Sequence, residues 1–153
     1  MITIDIPELA TFELHHAIFD INGTLAIDGV LIPGVKDWLG ILAGHLSIHL
    51  LTAGTHGNLE ELAHRLEYPL QIIKTGDDKA RYVQQLGPAN VIAFGNGAND
   101  VGMLRAAAIG IAVITAEGIA TSALQVADVL ALGPIDAIDL VLKPKRLVAT
   151  LRR

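Results

Sequence analysis

The sequence predicts an α/β fold, a three-layer sandwich in which a mainly parallel sheet carries helices on both faces. Two observations lead there. Short apolar strand segments alternate with helical segments along the 153 residues, with short loops and no linker or low-complexity tract. The interior implied by 52% hydrophobic residues must be built from Ala, Val, Ile and Leu, because aromatic residues supply only 4%. Such side chains suit strands covered on both faces. With 18% charged residues the chain is not disordered, and its length predicts one domain over 1–153.

The elements follow in order. Ile2 to Ile6 alternates polar and apolar residues and can pair with Thr11 to Leu14, an N-terminal hairpin within 1–14. His16 to Ile21 reads as a short buried strand. Within 25–32, Leu25–Ile27 and Val30–Ile32 flank Asp28-Gly29, a type I′ hairpin signal and a small flap. Pro33 is expected to open a helix to about His45, in the first turn that tolerates proline. Ser47–Leu51 is a strand, and Thr55–Glu67 a helix with Leu59, Leu62, Ala63 and Leu66 on one face.

The second half repeats the alternation. Strands are expected at Leu70–Lys74, Val91–Phe94, Gly110–Ile114 and Asp128–Leu132. Helices are expected at Asp77–Leu86, Asn99–Ala107, Gly118–Ala127 and Pro134–Leu142, the last running on toward a basic tail at 143–153. Five core parallel strands are the expectation. In such sheets ligands bind beyond the carboxyl ends of the strands.

Composition excludes several functions. Without cysteine there is no disulfide, thiolate nucleophile or cysteine-ligated metal. The longest stretch without Asp, Glu, Lys or Arg, Trp38 to Leu59, holds three histidines and four glycines and is a poor membrane span. The start, Met1 to Leu9, lacks the pattern of a signal peptide, so a soluble, cytoplasmic protein is expected. A net charge of -5 argues against a nucleic-acid partner. The charge is uneven: Lys143, Lys145, Arg146, Arg152 and Arg153 are five of eleven basic residues. They read as a solvated terminal helix, or as a docking tail for an acidic partner or lipid surface.

Four strand ends carry unusual polar residues. The first reads Asp20-Ile21-Asn22-Gly23-Thr24-Leu25, and the second Leu50-Leu51-Thr52-Ala53-Gly54-Thr55. After the third comes Gly76-Asp77-Asp78-Lys79, with Lys79 in the first turn of a helix. The fourth reads Phe94-Gly95-Asn96-Gly97-Ala98-Asn99-Asp100. A carboxylate can accept a phosphoryl group, a strand-terminal hydroxyl and a lysine can hold its oxygens, and hard oxygen donors suit Mg²⁺.

In this order the four segments resemble the motifs of the haloacid dehalogenase superfamily of aspartyl-phosphate hydrolases, from about residue 15 to 142. The chain looks most like the soluble, P-type-ATPase-like members, with a Rossmann-like fold. The resemblance implies Asp20 as nucleophile, with Asn22, Thr52 and Lys79 completing the catalytic set. It implies a phosphate cradle of Gly23, Thr24, Thr52, Ala53, Lys79 and Asn99. It also implies Mg²⁺ on Asp20, the Asn22 carbonyl, Asn96 and Asp100, and a phosphorylated substrate, small or macromolecular.

Two departures matter. The superfamily's second aspartate in the first motif, its general acid–base, is Asn22 here, a loss on the order of 10²–10⁴ in rate. The first aspartate of the fourth motif is Asn96, which weakens the metal site. Slow turnover is therefore expected. The intervals from Asp20 to Thr52 and from Thr52 to Lys79, 32 and 27 residues, leave no room for a cap domain. The open site then has only the hairpin as flap, and a second copy or a protein partner could cover it. His56, just after Thr52, could reach a substrate. The other five histidines show no zinc-ligand spacing.

Two other classes compete. A regulatory or interaction protein could keep the fold and bind phosphate or Mg²⁺ without catalysis, as the two Asp-to-Asn departures and the basic tail suggest. A receiver-like signalling domain also uses Asp, Thr, Lys and Mg²⁺, but its acceptor Asp follows a middle strand. Here the aspartate ends the first core strand and leads into Gly-Thr and a hairpin.

Overall fold

A computed structural model describes residues 1–54 and 59–153. β1 (Ile2–Ile6) and β2 (Ala10–Leu14) form an antiparallel hairpin in which Ile2 faces Leu14 and Ile6 faces Ala10. β3 (His16–Asp20) follows, and then β4 (Ala26–Ile27) and β5 (Val30–Leu31) make the flap. Asp28 and Gly29 both take positive φ, 51° and 75°, as a type I′ turn requires.

α1 (Val35–Ala43) begins later than the proline suggests. Gly34 sits at φ 86°, a left-handed conformation outside any right-handed helix, so Pro33 stands before the helix and not in its first turn. β6 (Ser47–Thr52), α2 (Leu59–Leu66) and β7 (Leu70–Ile72) follow. The start expected for the second helix, and His56 with it, lie outside the described residues. α3 (Gly76–Leu86) is capped by Thr75, whose hydroxyl accepts from the Asp78 N–H at 3.1 Å and donates to the Asp78 carboxylate at 2.6 Å.

β8 (Val91–Gly95) leads through a 3₁₀ turn, Ala98–Asp100, into α4 (Val101–Ala106). β9 (Ile109–Val113), α5 (Thr121–Val126), β10 (Val129–Ala131) and α6 (Pro134–Leu142) complete the alternation. The chain does not continue helically into the basic segment. Lys143 leaves the helix at φ -119° and ψ 68° because the following proline excludes it from the α region. A separate helix, α7 (Pro144–Leu151), folds back onto β1 with Leu147 fully buried. Asp139 pairs with Lys143 and Arg146 at 2.9 and 2.6 Å, so two of the five terminal cations are partnered.

The central sheet has six strands in the order β10-β9-β8-β3-β6-β7, all parallel, one more than the five core strands expected. All six correspond to segments expected as strands, and the short β7 and β10 form the edges. Residues of β3 alternate between the two layers: Ala17 and Phe19 face one cluster and Ile18 the other. The first cluster takes α1, α2, α6, α7 and the N-terminal hairpin; the second takes α3, α4 and α5. Phe19 and Phe94 stack with centroids 4.2 Å apart and fix β3 against β8.

Sheet order places the site. From β3 the chain moves outward to β6 and β7, then returns to β8 on the other side of β3. The reversal separates the loops after β3 and β8, and such switch points are where open α/β sheets bind ligands. At the opposite end of the same strands, the ring nitrogens His16 Nδ1 and His49 Nε2 lie 3.1 Å apart, and His49 Nδ1 is 3.0 Å from the Tyr82 hydroxyl. Among the described residues, no helix is long and apolar enough to cross a membrane.

Candidate active site

Asp20 is the last residue of β3, only 6% exposed. Lys79, in the first turn of α3, has no exposed surface, and Asp100, closing the 3₁₀ turn after β8, has none either. The Lys79 ammonium donates to Asp20 Oδ1 at 2.6 Å and to Asp100 Oδ1 at 2.7 Å. Three separate chain segments thus meet on one nitrogen. Burial, reinforced by the like charge of Asp100, pushes the Asp20 carboxyl up to about 7 against the pull of Lys79. Burial also works against the Lys79 ammonium, but the two carboxylates outweigh it and hold its pKa above the ordinary lysine value.

The remaining residues close around this triad. Thr24, fully buried, is 3.5 Å from Asp20 Oδ2 and 3.3 Å from Asn96 Oδ1 through its hydroxyl. Thr52 ends β6, and its hydroxyl oxygen accepts from the Gly54 N–H at 3.2 Å and the Asn22 amide at 3.4 Å. Gly23 adopts φ 82°, and a Cβ there would lie 2.3 Å from the Asn96 amide nitrogen. Only glycine satisfies both the conformation and the contact. Gly95 is required for space alone, since a Cβ would meet the Asp100 carboxylate at 2.7 Å.

A cavity of about 320 Å³ opens above the triad, lined by Asp20, Asn22, Ala53, Asn96, Gly97, Asn99 and Glu117. The structure therefore brings Asp20, Asn22, Thr24, Thr52, Lys79, Asn96 and Asp100 into one neighbourhood, with Gly23, Ala53 and Asn99 around them. Asp100, however, is turned away from the cavity. Its Oδ1 faces Lys79, and its Oδ2 accepts the backbone N–H groups of Asn96 and Gly97 at 3.0 and 2.8 Å. These bonds tie the loop after β8 to Lys79. Glu117, on the loop between β9 and α5, belongs to no motif and was not expected at the site.

Most residues of the cavity wall carry oxygen donors: Asp20, Asn22, Asn96, Asn99 and Glu117. No group of three or more acidic or histidine side chains converges as a preformed metal cage among the described residues. The donor set fits Mg²⁺, which typically uses one or two carboxylates and completes its shell with water and substrate phosphate. Asp20, Asn22 and Asn96, which line the cavity, are the residues that would hold it, with Asp100 immediately behind them.

Residues 52–129 match the family model of haloacid dehalogenase-like hydrolases. That match spans half of the chain, and the protein belongs to this family. No curated protein shows significant similarity in sequence. Among solved structures, the chain is similar to 3-deoxy-D-manno-octulosonate 8-phosphate phosphatase from Moraxella catarrhalis, solved with magnesium, phosphate and the sugar acid. Identity is 19% and the TM-score 0.65, over 91% of this chain and 94% of that one. The cobalt-bound deoxy-D-mannose-octulosonate 8-phosphate phosphatase from Haemophilus influenzae gives 15% and 0.65, over 87% and 90%. The catalytic domain of the CPx-ATPase CopB-B gives 23% and 0.56, over 81% of this chain and 47% of that one. At these identities the likeness is one of fold.

Between Asp20 and Thr52 the chain holds the flap, α1 and β6, and between Thr52 and Lys79 the described elements are α2, β7 and the start of α3. Among the described residues there is no cap domain at either place.

Proposed function

We propose that the protein is a Mg²⁺-dependent phosphohydrolase of low turnover that works through an aspartyl phosphate on Asp20, as one catalytic unit with an open site. The observation that carries this reading is a lysine without solvent contact held between two buried carboxylates at the floor of a polar cavity. Such an arrangement costs several kcal/mol in desolvation unless each charge is matched, and it adds little to stability that an apolar trio could not supply. A need for charge at this point accounts for it.

In this reading an Asp20 oxygen attacks phosphorus, the bond from phosphorus to the ester oxygen breaks, and the leaving oxygen departs with the bonding pair as an oxyanion that takes its proton from water. Lys79 and Thr52 hold the phosphoryl oxygens, while Thr24 and Asp100 keep Asp20 and Lys79 in place. When bound, Mg²⁺ would offset phosphoryl charge and favour the ionised form of Asp20. Water then attacks the acyl phosphate, releasing phosphate and restoring the carboxylate. At Asn22 the chain has an amide, which neither protonates the leaving oxygen nor takes a proton from that water. Good leaving groups are therefore favoured, and the phosphoenzyme is long-lived.

The test is incubation with Mg²⁺ and an aryl phosphate, followed by a search for acid-stable, hydroxylamine-labile phosphate on the protein. Wild type should carry it, and Asp20→Asn, which keeps the side-chain volume, should lose both label and turnover while remaining folded. Labelling that survives in Asp20→Asn would remove the proposed nucleophile. Asn22 and Asn96 also favour a second reading, a regulatory protein that binds phosphate or Mg²⁺ without turnover. Phosphate binding with no label under any condition would select it.

A further inference from the structure

Glu117 stands on the turn between β9 and α5, and that turn is built into the site. Thr115 donates its hydroxyl to the Gly23 carbonyl at 2.9 Å, Gly118 donates its N–H to the Thr115 carbonyl at 2.9 Å, and the Asn96 amide donates to the Gly118 carbonyl at 3.3 Å. The Glu117 carboxylate in turn accepts the backbone N–H of Asp28, at the flap tip, at 3.4 Å. The side chain therefore sits at the cavity rim between the flap and the fourth motif, exposed to solvent.

Charge on the cavity wall is one-sided. Among its described lining residues only Asp20 and Glu117 are ionisable, and the rest are three asparagines, a glycine and an alanine. Lys79, between Asp20 and Asp100 beneath the wall, serves the phosphoryl end, and no lysine or arginine lines the cavity itself among the described residues. A substrate anchored by its phosphoryl group at Asp20 points its alcohol part outward. There the charged side chain it meets is Glu117, with Asp28 beside it on the flap. The cavity, about 320 Å³, is at the small end of ligand sites.

On the phosphohydrolase reading, we propose that Glu117 is a specificity-determining residue that selects small phosphate monoesters whose alcohol carries an ammonium group. A cation at that position is attracted to Glu117, and a carboxylate there is repelled by it. Sugar acid phosphates such as the 8-phosphate named for the structural relatives would on this account be disfavoured.

Three non-hydrolysable probes read this without depending on turnover: 2-aminoethylphosphonate, n-propylphosphonate and 3-phosphonopropionate, titrated calorimetrically in Mg²⁺ buffer at low salt. The ammonium probe should bind about tenfold more tightly than the carboxylate probe, a preference that shrinks in 0.5 M salt. Glu117→Gln, an isosteric change at an exposed position, should reduce the preference at least about threefold, and Glu117→Lys should reverse it. Equal affinities, or a preference that Glu117→Gln leaves intact, would overturn the inference while the phosphoryl site stands. Failure of all three probes to bind would instead remove the phosphoryl site, and the inference with it.

Discussion

β3 and β6 carry polar side chains at both ends, and the two ends handle them in opposite ways. At the carboxyl end the ionisable Asp20, Lys79 and Asp100 are essentially without solvent contact, and Lys79 bonds to the two carboxyls at 2.6 and 2.7 Å. At the amino end His16, His49 and Tyr82 are half-buried and share hydrogen-bond distances of 3.1 and 3.0 Å. The histidine end obeys the ordinary economy of a surface, where neutral groups pair and water completes the shell. Nothing in packing calls for the ionic end. The contrast shows where the fold accepts an energetic cost for chemistry.

The two ends also respond to acid with opposite sign. Burial, followed by the like charge of a neighbouring ring, lowers both His16 and His49 below the ordinary histidine value. The unfolded chain then binds protons first, and stability contributed there is lost as pH falls from about 7. Asp20 is raised to about 7, so the folded state binds its proton first. Its contribution grows as pH falls through 7 and is lost as pH rises.

The sharpest way to break this comparison is Lys79→Met. Removing the cation strands two buried carboxylates, and urea melts at pH 7 should show a loss of about 3–5 kcal/mol. The loss should shrink toward pH 5 as Asp20 takes up a proton. A loss below about 1 kcal/mol would mean the ionic end is no more demanding than the histidine end.

Asn22→Asp comes next. Restoring a proton-transfer group beside the scissile bond should raise turnover of an aryl phosphate by roughly tenfold or more and shorten the phosphoenzyme's lifetime. The added like charge near Asp20 makes saturating Mg²⁺ and a full pH profile necessary. Flat turnover under all those conditions would shift the balance toward the non-catalytic reading. The smallest effect belongs to His49→Gln: less than about 1 kcal/mol at pH 7, but a flatter fall in stability between pH 7 and 5 than in wild type. An unchanged slope would exclude the histidine pair as its source.

The ionic end was legible in the sequence because each member sits at a strand end or helix start within a recognisable spacing. Asp20-Ile21-Asn22-Gly23-Thr24 and Gly95 to Asp100 announce themselves locally. What they could not announce was orientation. The sequence places Asp100 at the site, but not the backbone N–H groups of Asn96 and Gly97 that its carboxylate accepts. Glu117 carries no local signal, since a single glutamate in a turn is ordinary; only the bonds from Thr115 to Gly23 and from Asn96 to Gly118 bring it to the rim. The His16–His49 contact likewise depends on the β3–β6 register, which pairs Ile18 with His49. The break at Lys143 is different. Pro144 signals it, and the apolar periodicity of the preceding helix hid it.

That break has a kinetic consequence. Because α7 turns back at Pro144 to bury Leu147 against the layer containing β1, it joins segments separated by nearly the whole chain. Contacts of such long sequence separation carry a large loop-closure entropy when formed early and little once the intervening sheet is in place. The docking of α7 therefore belongs late in folding. As a short helix with a single fully buried side chain, it also belongs to the part of the molecule that opens at the lowest free energy, apart from the strands that carry the site.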